Sequence, residues 1–129
     1  MYLAIVTFDL THSKVSYQEM RDWVVDRSMA EYAALPGLKL KAWFSDELNR
    51  QWGAVYLVDS PIVLRQDKLP RLADGNTGPI GARPTSVQWL ELEALVTGPD
   101  GLDEALTAGL SLRHQTTRTE VRWTAPEPA

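Results

Sequence analysis

The segment from Pro36 to Val58, PGLKLKAWFSDELNRQWGAVYLV, constrains the fold of this chain more than any other. Two runs rich in aliphatic and aromatic residues flank the polar stretch from Asp46 to Arg50, which is the pattern of a β-hairpin. Pro36 and Gly37 end any helix before them, because a residue that precedes proline avoids the α region and glycine completes the stop. We therefore predict a helix followed at once by a two-stranded hairpin.

The two strands of the predicted hairpin separate two kinds of surface. Successive side chains of a strand point to opposite faces, so strand 2, from Leu38 to Ser45, has an apolar face and a face with lysines and a tryptophan. In strand 3, from Gln51 to Val58, Gly53 indicates a bulge or a close approach to the backbone. The apolar set is Leu38, Leu40, Ala42 and Phe44, and the opposite set is Lys39, Lys41 and Trp43.

The helix before the hairpin has a well-specified start and an unusual charge pattern. Ser16 and Glu19 have the spacing of a capping box, so we predict a helix from Ser16 to about Leu35. At about 100° per residue, Arg27 and Glu31 fall near the middle of its apolar arc. One interpretation is that these two side chains line a cavity between the helix and the sheet.

A second interpretation leaves the Arg27 and Glu31 pair in solvent. The pair then contributes a few tenths of a kcal/mol at most, as solvated i,i+4 pairs do. The opposite arc of the helix faces the core or a partner in that case. That arc comprises Val25, Met29, Tyr32 and Ala33.

The rest of the chain divides into short elements. Tyr2 to Leu10 is a continuous apolar run, which favours a strand that is covered on both faces. The loop 74–84, DGNTGPIGARP, suits either a surface connection or a lid over a cleft. The other predicted elements are helix 2 from Ser60 to Leu69, strand 4 from Thr85 to Val96, a helix from Leu102 to Leu112, and a fifth extended segment over 117–123 before a terminal tail.

Composition narrows the class of protein. A chain of 129 residues with 44% hydrophobic content is sized for one domain, which we place at residues 1–112 with a C-terminal extension at 113–129. The net charge of −4 gives no basic surface for nucleic acid. There is no cysteine, and no apolar run approaches the roughly 18 residues of a membrane span. We expect a cytoplasmic protein that binds neither nucleic acid nor membrane.

The order of elements predicts the architecture. Strand, helix, strand, strand, helix, strand is the split βαβ arrangement of a ferredoxin-like α+β fold, an antiparallel sheet with two helices on one face. The strands are largely apolar on both faces, but the helices cover only one. We expect the open face to pack against a second copy of the chain.

Three short motifs carry a family resemblance: PGL after the first helix, KAW on strand 2 and GAVYLV on strand 3. With this order of elements, the chain resembles the YdhR-like monooxygenases of the dimeric α+β barrel superfamily over roughly residues 2–110. The resemblance implies two protomers whose sheets form a common barrel, with a pocket in each between sheet and helices. It also implies oxygenation of phenols, quinols or anthrones without flavin or metal, because an electron-rich phenolate itself reduces oxygen.

The hairpin supplies most of the candidate substrate-binding residues. Trp43 and Tyr56 match the family's positions on adjacent strands and suit stacking and hydrogen bonding, although ordinary core packing explains them equally well. Lys41 suits a phenolate, with snorkelling to solvent as the alternative. Trp89 on strand 4 and Trp23 on the first helix complete the set.

The catalytic candidates are His12, Arg27, Glu31 and Tyr56. His12 follows strand 1, and the ordinary pKa of histidine suits a general base, whereas a solvated surface position is the alternative. The two histidines of the chain have no metal-ligand spacing with each other. We predict no metal and no cofactor.

A structural role for the hairpin lysines is also open. In the predicted topology strands 2 and 4 lie at opposite edges of the sheet. Lys39 and Lys41 would then meet Glu91 and Glu93 across a dimer, as an inter-subunit charge ladder.

Three functions follow as hypotheses. The first is a cofactor-independent monooxygenase for an aromatic small molecule. The second is a cyclase, isomerase or lyase that uses Arg27 and Glu31 in the same pocket. The third is a non-catalytic dimer that binds a small molecule. The fold alone does not choose among them, since function resides in the site.

Overall fold

Four antiparallel strands form the sheet at the centre of this protein. The computed structural model describes residues 1–65 and 79–123. The strands are β1 (Tyr2–Asp9), β2 (Leu38–Asp46), β3 (Gln51–Val58) and β4 (Ser86–Glu91). The helices are α1 (Tyr17–Trp23), a π turn (Val24–Ser28) and α2 (Met29–Ala33) in direct succession, then a 3-10 helix (Pro61–Leu64), α3 (Asp103–Leu106) and α4 (Gly109–Trp123).

The strand order is β2-β3-β1-β4, and every neighbouring pair is antiparallel. The predicted hairpin is confirmed, because β2 and β3 pair along their lengths around the turn from Glu47 to Arg50. The predicted positions of β2 and β4 at opposite edges of the sheet are also confirmed. The architecture is therefore α+β and compatible with the ferredoxin-like arrangement.

The start of the first helix is confirmed in detail. The Ser16 hydroxyl accepts a hydrogen bond from the backbone N–H of Glu19, and the Glu19 carboxylate accepts one from the backbone N–H of Ser16. Two of the N–H groups that a helix start leaves without intrahelical partners are satisfied in this way. The last helical residue is Ala33, close to the predicted end, and Gly37 follows with a φ of +87°.

The π turn decides which residues of the first helix face the sheet. A π turn closes i→i+5 hydrogen bonds and so takes roughly one residue more than an α turn. Every residue after it is rotated backwards relative to a regular helix. Tyr32 consequently joins Met20 and Val24 on the buried side, whereas Arg27 and Glu31 move away from it.

The core lies between this helix and one face of the sheet, in two adjoining clusters. The first brings Tyr32 of α2 onto β1 and β3, and the second brings α1 onto the turn that follows β1. Leu10, Met20 and Val58 are the largest fully buried side chains. The first cluster comprises Ala4, Tyr32, Ala54, Tyr56, Val58 and Val63, and the second Leu10, Val15, Tyr17, Met20, Val24 and Trp52.

Gly53 marks a close backbone approach, as its sequence position predicted. A Cβ at this position would overlap the carbonyl oxygen of Val6 on β1 and the ring of Phe44 on β2. The irregularity of the hairpin itself lies elsewhere, since the register of β2 shifts between Leu38 and Leu40.

Two elements are shorter than predicted. β4 ends at Glu91 instead of Val96, because its partner β1 begins at Tyr2, opposite Glu91, and offers no strand beyond it. Helix 2 is a single 3-10 turn that ends at Leu64, where Arg65 is extended. The remaining residues of the predicted helix 2 lie outside the described residues.

The fifth extended segment over 117–123 is a wrong prediction, because α4 continues through it to Trp123. The described part of this helix packs against the first helix rather than the sheet. His114 Nδ1 lies 3.0 Å from the carbonyl oxygen of Val25, and Arg113 pairs with Asp22 at 2.6 Å. The predicted domain boundary at residue 112 falls inside α4.

The face of the sheet away from the first helix is apolar. Leu40 and Phe44 on β2 are each 36% exposed, and Leu90 on β4 is 39% exposed. Pairing with β3 and β1 puts all three on the same face. In residues 1–65 and 79–123, no helix has the length and apolar character needed to cross a membrane.

Candidate functional site

A cavity of about 300 Å³ lies between the first helix and the sheet. This volume is at the small end of ligand pockets. Among the described residues that line it, the charged ones are Lys41 and Arg83, and both are basic. The helix contributes Met20, Trp23, Val24, Ser28 and Tyr32, the sheet contributes Phe8, Lys41, Trp43, Trp52 and Tyr56, and the chain before β4 contributes residues 79–84.

Three aromatic rings surround the amine of Lys41. Its Nζ lies 3.4 Å from the ring centroid of Tyr32, 4.5 Å from that of Trp43 and 4.6 Å from that of Tyr56. Distances of this order are those of cation–π interactions. We call Tyr32, Trp43 and Tyr56 the aromatic cage.

The aromatic cage is held together by ring packing. The Tyr32 ring meets the Trp43 ring edge-on, with centroids 6.1 Å apart and an interplanar angle of 85°. The ring centroids of Tyr32 and Tyr56 lie 6.0 Å apart, with an interplanar angle of 59°. Both geometries fall within the range that aromatic pairs prefer. The cage is therefore a packed wall and not three independent side chains.

The strand pattern of the hairpin explains why Lys41 points inward. Lys41 and Trp43 share a face of β2, and the helix covers that face. Lys41 pairs with Tyr56 of β3 directly across the hairpin, so the two side chains project together. Tyr32 closes the cage from the helix side, because the π turn brings this residue of α2 to face the sheet.

The amine of Lys41 has no counter-ion among the described residues. Lys39, two positions earlier, pairs with Asp59 at 3.5 Å at the surface. Lys41, in contrast, is partly buried and lies against three ring faces, in a cavity whose described lining holds no carboxylate. An unpaired amine away from water is costly when it is charged.

Burial lowers the pKa of Lys41 well below its usual value. The three ring faces favour the ammonium and act in the opposite direction, but desolvation is the dominant cause. Burial raises the pKa of Tyr56 well above its usual value, and the neighbouring Tyr32 raises it further. Burial also raises the pKa of Tyr32. The site thus places an amine that can accept a proton beside phenols that keep theirs.

The π turn and the segment before β4 complete the cavity. Ser28, at the end of the π turn, is buried and lines the cavity. Ile80 packs on the second core cluster, and the exposed Arg83 lies at the rim. Of the predicted loop 74–84, residues 79–84 therefore form part of the cavity wall, whereas 74–78 lie outside the described residues.

Four of the predicted site residues line the cavity. Lys41, Trp43 and Tyr56 meet in the aromatic cage, and Trp23 lines the cavity from α1. Trp89 does not line it, although its pairing with Ala4 puts it on the helix-covered face of the sheet, because β4 is an edge strand and Trp89 is 40% exposed there.

His12 lies apart from the cavity. It is exposed in the turn after β1 and is absent from the residues that line the site. A general base must reach the proton that it abstracts, and His12 has no such geometry here. The structure does not support His12 as the base.

Arg27 and Glu31 form the i,i+4 ion pair of the second sequence interpretation. Arg27 Nη2 lies 3.0 Å from Glu31 Oε1, and the two side chains are 41% and 31% exposed. The Arg27 guanidinium stacks on the Trp23 ring at 4.7 Å. Neither residue lines the cavity, because the π turn rotates them off the sheet-facing side.

The predicted charge ladder across a dimer stays a prediction, and within one chain its lysines have other contacts. Lys41 is enclosed in the aromatic cage, and Lys39 pairs with Asp59 of its own chain. Glu91 pairs in register with Tyr2, which puts it on the helix side of the sheet and not on the open face.

Part of the site is not predicted by the sequence. The sequence predicts only that Tyr32 faces the core or a partner, and it predicts no site role for Trp52, Phe8 and Ser28. Trp52 and Tyr56 share a strand face, and this spacing was a usable signal. Ser28 and Tyr32 gave no such signal, because a regular helical projection does not anticipate the π turn.

The sequence was compared with family models and with curated proteins. No family model matches the sequence, and no curated protein matches it. Within the described ranges, no three His, Asp or Glu side chains converge as a metal site requires. The functional reading therefore stands on the cavity and its residues.

Proposed function

We propose that this protein is a cofactor-independent monooxygenase that acts on a small aromatic molecule with an acidic hydroxyl or an acidic ring C–H group. The observation that carries the proposal is the amine of Lys41, enclosed by the aromatic cage in a cavity without a described carboxylate. A flat, electron-rich ring fits between aromatic walls, and its anion is attracted by the lysine.

The first step is a proton transfer. Lys41 accepts the proton of the substrate, and the resulting ammonium stays beside the substrate anion. The attraction between the two charges is strong because little water is present to screen it. The neutral phenols of Tyr32 and Tyr56 donate hydrogen bonds to the anion. This arrangement raises the fraction of substrate in the anionic form that reacts with oxygen.

Oxygen then reacts with the bound anion. The anion transfers one electron to O2, and the two radicals combine to form a hydroperoxide. Loss of water from the hydroperoxide leaves a carbonyl on the ring carbon. One oxygen atom enters the product, the other leaves as water, and the substrate supplies all four electrons. The tryptophan walls hold the ring and exclude water during these steps.

A homodimer belongs to the same proposal. The open face of the sheet carries Leu40, Phe44 and Leu90, and a second copy of the sheet would cover these side chains. Sedimentation tests this part: Leu40→Asp should shift the protein to monomer. Leu48→Asp is the control, because Leu48 is 91% exposed in the hairpin turn. A wild-type monomer at micromolar concentration would overturn the dimer.

Oxygen consumption tests the chemistry. Hydroquinones, naphthols and anthrones are offered to the wild type, Lys41→Met, Trp43→Ala and the surface control Lys39→Met. We expect uptake with at least one compound, loss of about 100-fold or more in Lys41→Met, and wild-type rates in Lys39→Met. Binding without uptake by the wild type would replace the oxygenase with a non-catalytic binding protein.

The acid–base alternative through Arg27 and Glu31 finds no support in the geometry. Both side chains lie on the outer side of the helix, and the cavity lining does not include them. A cyclase or lyase in this cavity would have to use Lys41 and the two tyrosines instead.

A further inference from the structure

We propose that Lys41 also forms a covalent imine with an aromatic aldehyde or ketone bound in the cavity. This is a second activity of the site, and it does not rest on the oxygenase. It follows from where the amine lies and from what surrounds it: a cavity opens onto it, ring faces flank it, and no described carboxylate pairs with it.

The nucleophile needs a free lone pair. Lysines become nucleophilic when an apolar pocket disfavours their charged form. Lys41 meets this condition, since burial lowers its pKa, whereas Lys39 is exposed and pairs with Asp59 at 3.5 Å. The chain has four lysines, Lys14, Lys39, Lys41 and Lys68. Selectivity among them is therefore measurable within one molecule.

The carbonyl partner is defined by the walls of the cavity. Trp43, Trp52 and Phe8 line the cavity and suit an aryl group, and a volume of about 300 Å³ suits a small aryl carbonyl better than a sugar or a long chain. A carbonyl attached to the ring points at Lys41 when the ring stacks on the Trp43 side of the cage.

The reaction is balanced without an oxidant or reductant. The lone pair of Lys41 Nζ forms a bond to the carbonyl carbon, and the π electrons of the C=O bond move to oxygen. A proton passes from nitrogen to that oxygen. Tyr56, which is neutral and adjoins the amine, protonates the departing hydroxyl and recovers a proton from the iminium nitrogen. The products are the imine and one molecule of water.

Reductive trapping tests the imine on the full chain. The protein is incubated near neutral pH with 4-hydroxybenzaldehyde and cyanoborohydride, which reduces an imine to a stable secondary amine. Each adduct adds the mass of the aldehyde less one oxygen atom, and peptide mapping locates it. We expect Lys41 to be labelled at least about tenfold faster than Lys14 or Lys39. The α-amine of Met1 is mapped separately.

Three variants make the test decisive. Lys41→Arg keeps a cation in the cage and should lose the adduct. Lys39→Met should label like the wild type. Tyr56→Phe keeps the ring and the amine but lacks the proton donor, so it should slow labelling by about tenfold or more without lowering its final extent. Near-UV circular dichroism shows whether each variant retains its aromatic packing.

The outcomes separate this proposal from the oxygenase. Equal labelling of Lys41 and the surface lysines, or no labelling of Lys41, would overturn the imine even if oxygen is consumed. Selective labelling without oxygen uptake would support the imine and count against the oxygenase alone.

Discussion

The amine nitrogen of Lys41 lies 3.4 Å from the centre of the Tyr32 ring. This contact joins the edge strand β2 to the end of the first helix and closes one side of the cavity. Strand alternation turns Lys41 inward, and the π turn brings Tyr32 to meet it. The contact also leaves a basic group away from water without a described counter-ion, and several measurable consequences follow from that.

The first prediction concerns the stability cost of Lys41. Replacing it with methionine fills the same space with an apolar chain and removes a partly buried amine that lacks a described counter-ion. We expect Lys41→Met to raise the free energy of unfolding by about 1 kcal/mol near pH 7, measured by urea denaturation. Lys39→Met should change it by less than about 0.5 kcal/mol, as surface substitutions do. A loss of stability in Lys41→Met would show that the attraction between the ammonium and the rings outweighs desolvation.

The second prediction concerns pH. The pKa of Lys41 is lower in the folded chain than in the unfolded chain, where lysine titrates near 10.4. Between these two pKa values the unfolded chain binds more protons, so the free energy of unfolding rises with pH. We expect the wild type to gain stability as the pH rises toward about 9.5, and Lys39→Met to gain as much.

Lys41→Met is the variant that should lose this rise. The pKa of Tyr56 is raised in the folded chain, so its contribution falls as pH passes the ordinary tyrosine value near 10, and measurements stay below that point. Parallel pH profiles for the wild type and Lys41→Met would mean that Lys41 titrates alike in both states.

The third prediction concerns the π turn. Asp26 is exposed within it, and its deletion should convert the turn to α-helix. The π turn absorbs one extra residue, so removing one residue leaves Tyr32 opposite Lys41 and Glu31 outside the cavity. We therefore expect the affinity for an aromatic ligand to change by less than about threefold, with helical circular dichroism retained. Insertion of one alanine after Asp26 should instead rotate α2 by roughly 100° and lower the affinity by at least about tenfold, and equal affinity in the two variants would contradict a role for the turn.

The fourth prediction concerns Glu31. Its ion pair with Arg27 is part-exposed and lies outside the cavity. Pairs of this kind contribute about 0.2–0.5 kcal/mol. Glu31→Gln should therefore cost no more than about 0.5 kcal/mol and leave ligand affinity and activity unchanged. Isothermal titration and oxygen uptake check this, and a loss of activity at full stability would revive the acid–base alternative.

The fifth prediction concerns Gly53. A methyl group there would overlap the Val6 carbonyl, which the sheet holds in place, and the Phe44 ring. We expect Gly53→Ala to destabilise the protein by about 2 kcal/mol or more, measured by thermal denaturation. Gly98→Ala is the matched control, because nothing lies within 4 Å of a Cβ at that position. Similar stability of the two variants would mean that the sheet and the Phe44 ring can shift to accommodate the methyl group without loss of stability.

Local signals specified much of the fold. The capping box at Ser16 and Glu19, the stop at Pro36 and Gly37, and the alternation of the hairpin each act within a few residues, so they could be read in order along the chain. The extent of β4 could not be read in this way. It ends at Glu91, opposite the first residue of its antiparallel neighbour β1, and a strand needs a partner for its backbone hydrogen bonds.

The site, like the fold, could be predicted only in part. By itself, the sequence determined that Lys41 and Trp43 share one face of a strand and that Tyr56 lies on the adjacent strand, because successive side chains point to opposite faces. Only the tertiary structure decided that this side is covered, that Tyr32 completes the cage and that Arg27 and Glu31 stand outside it. The physical reason is the π turn: one extra residue in a single turn rotates all that follows, and no local pattern in the sequence announces it.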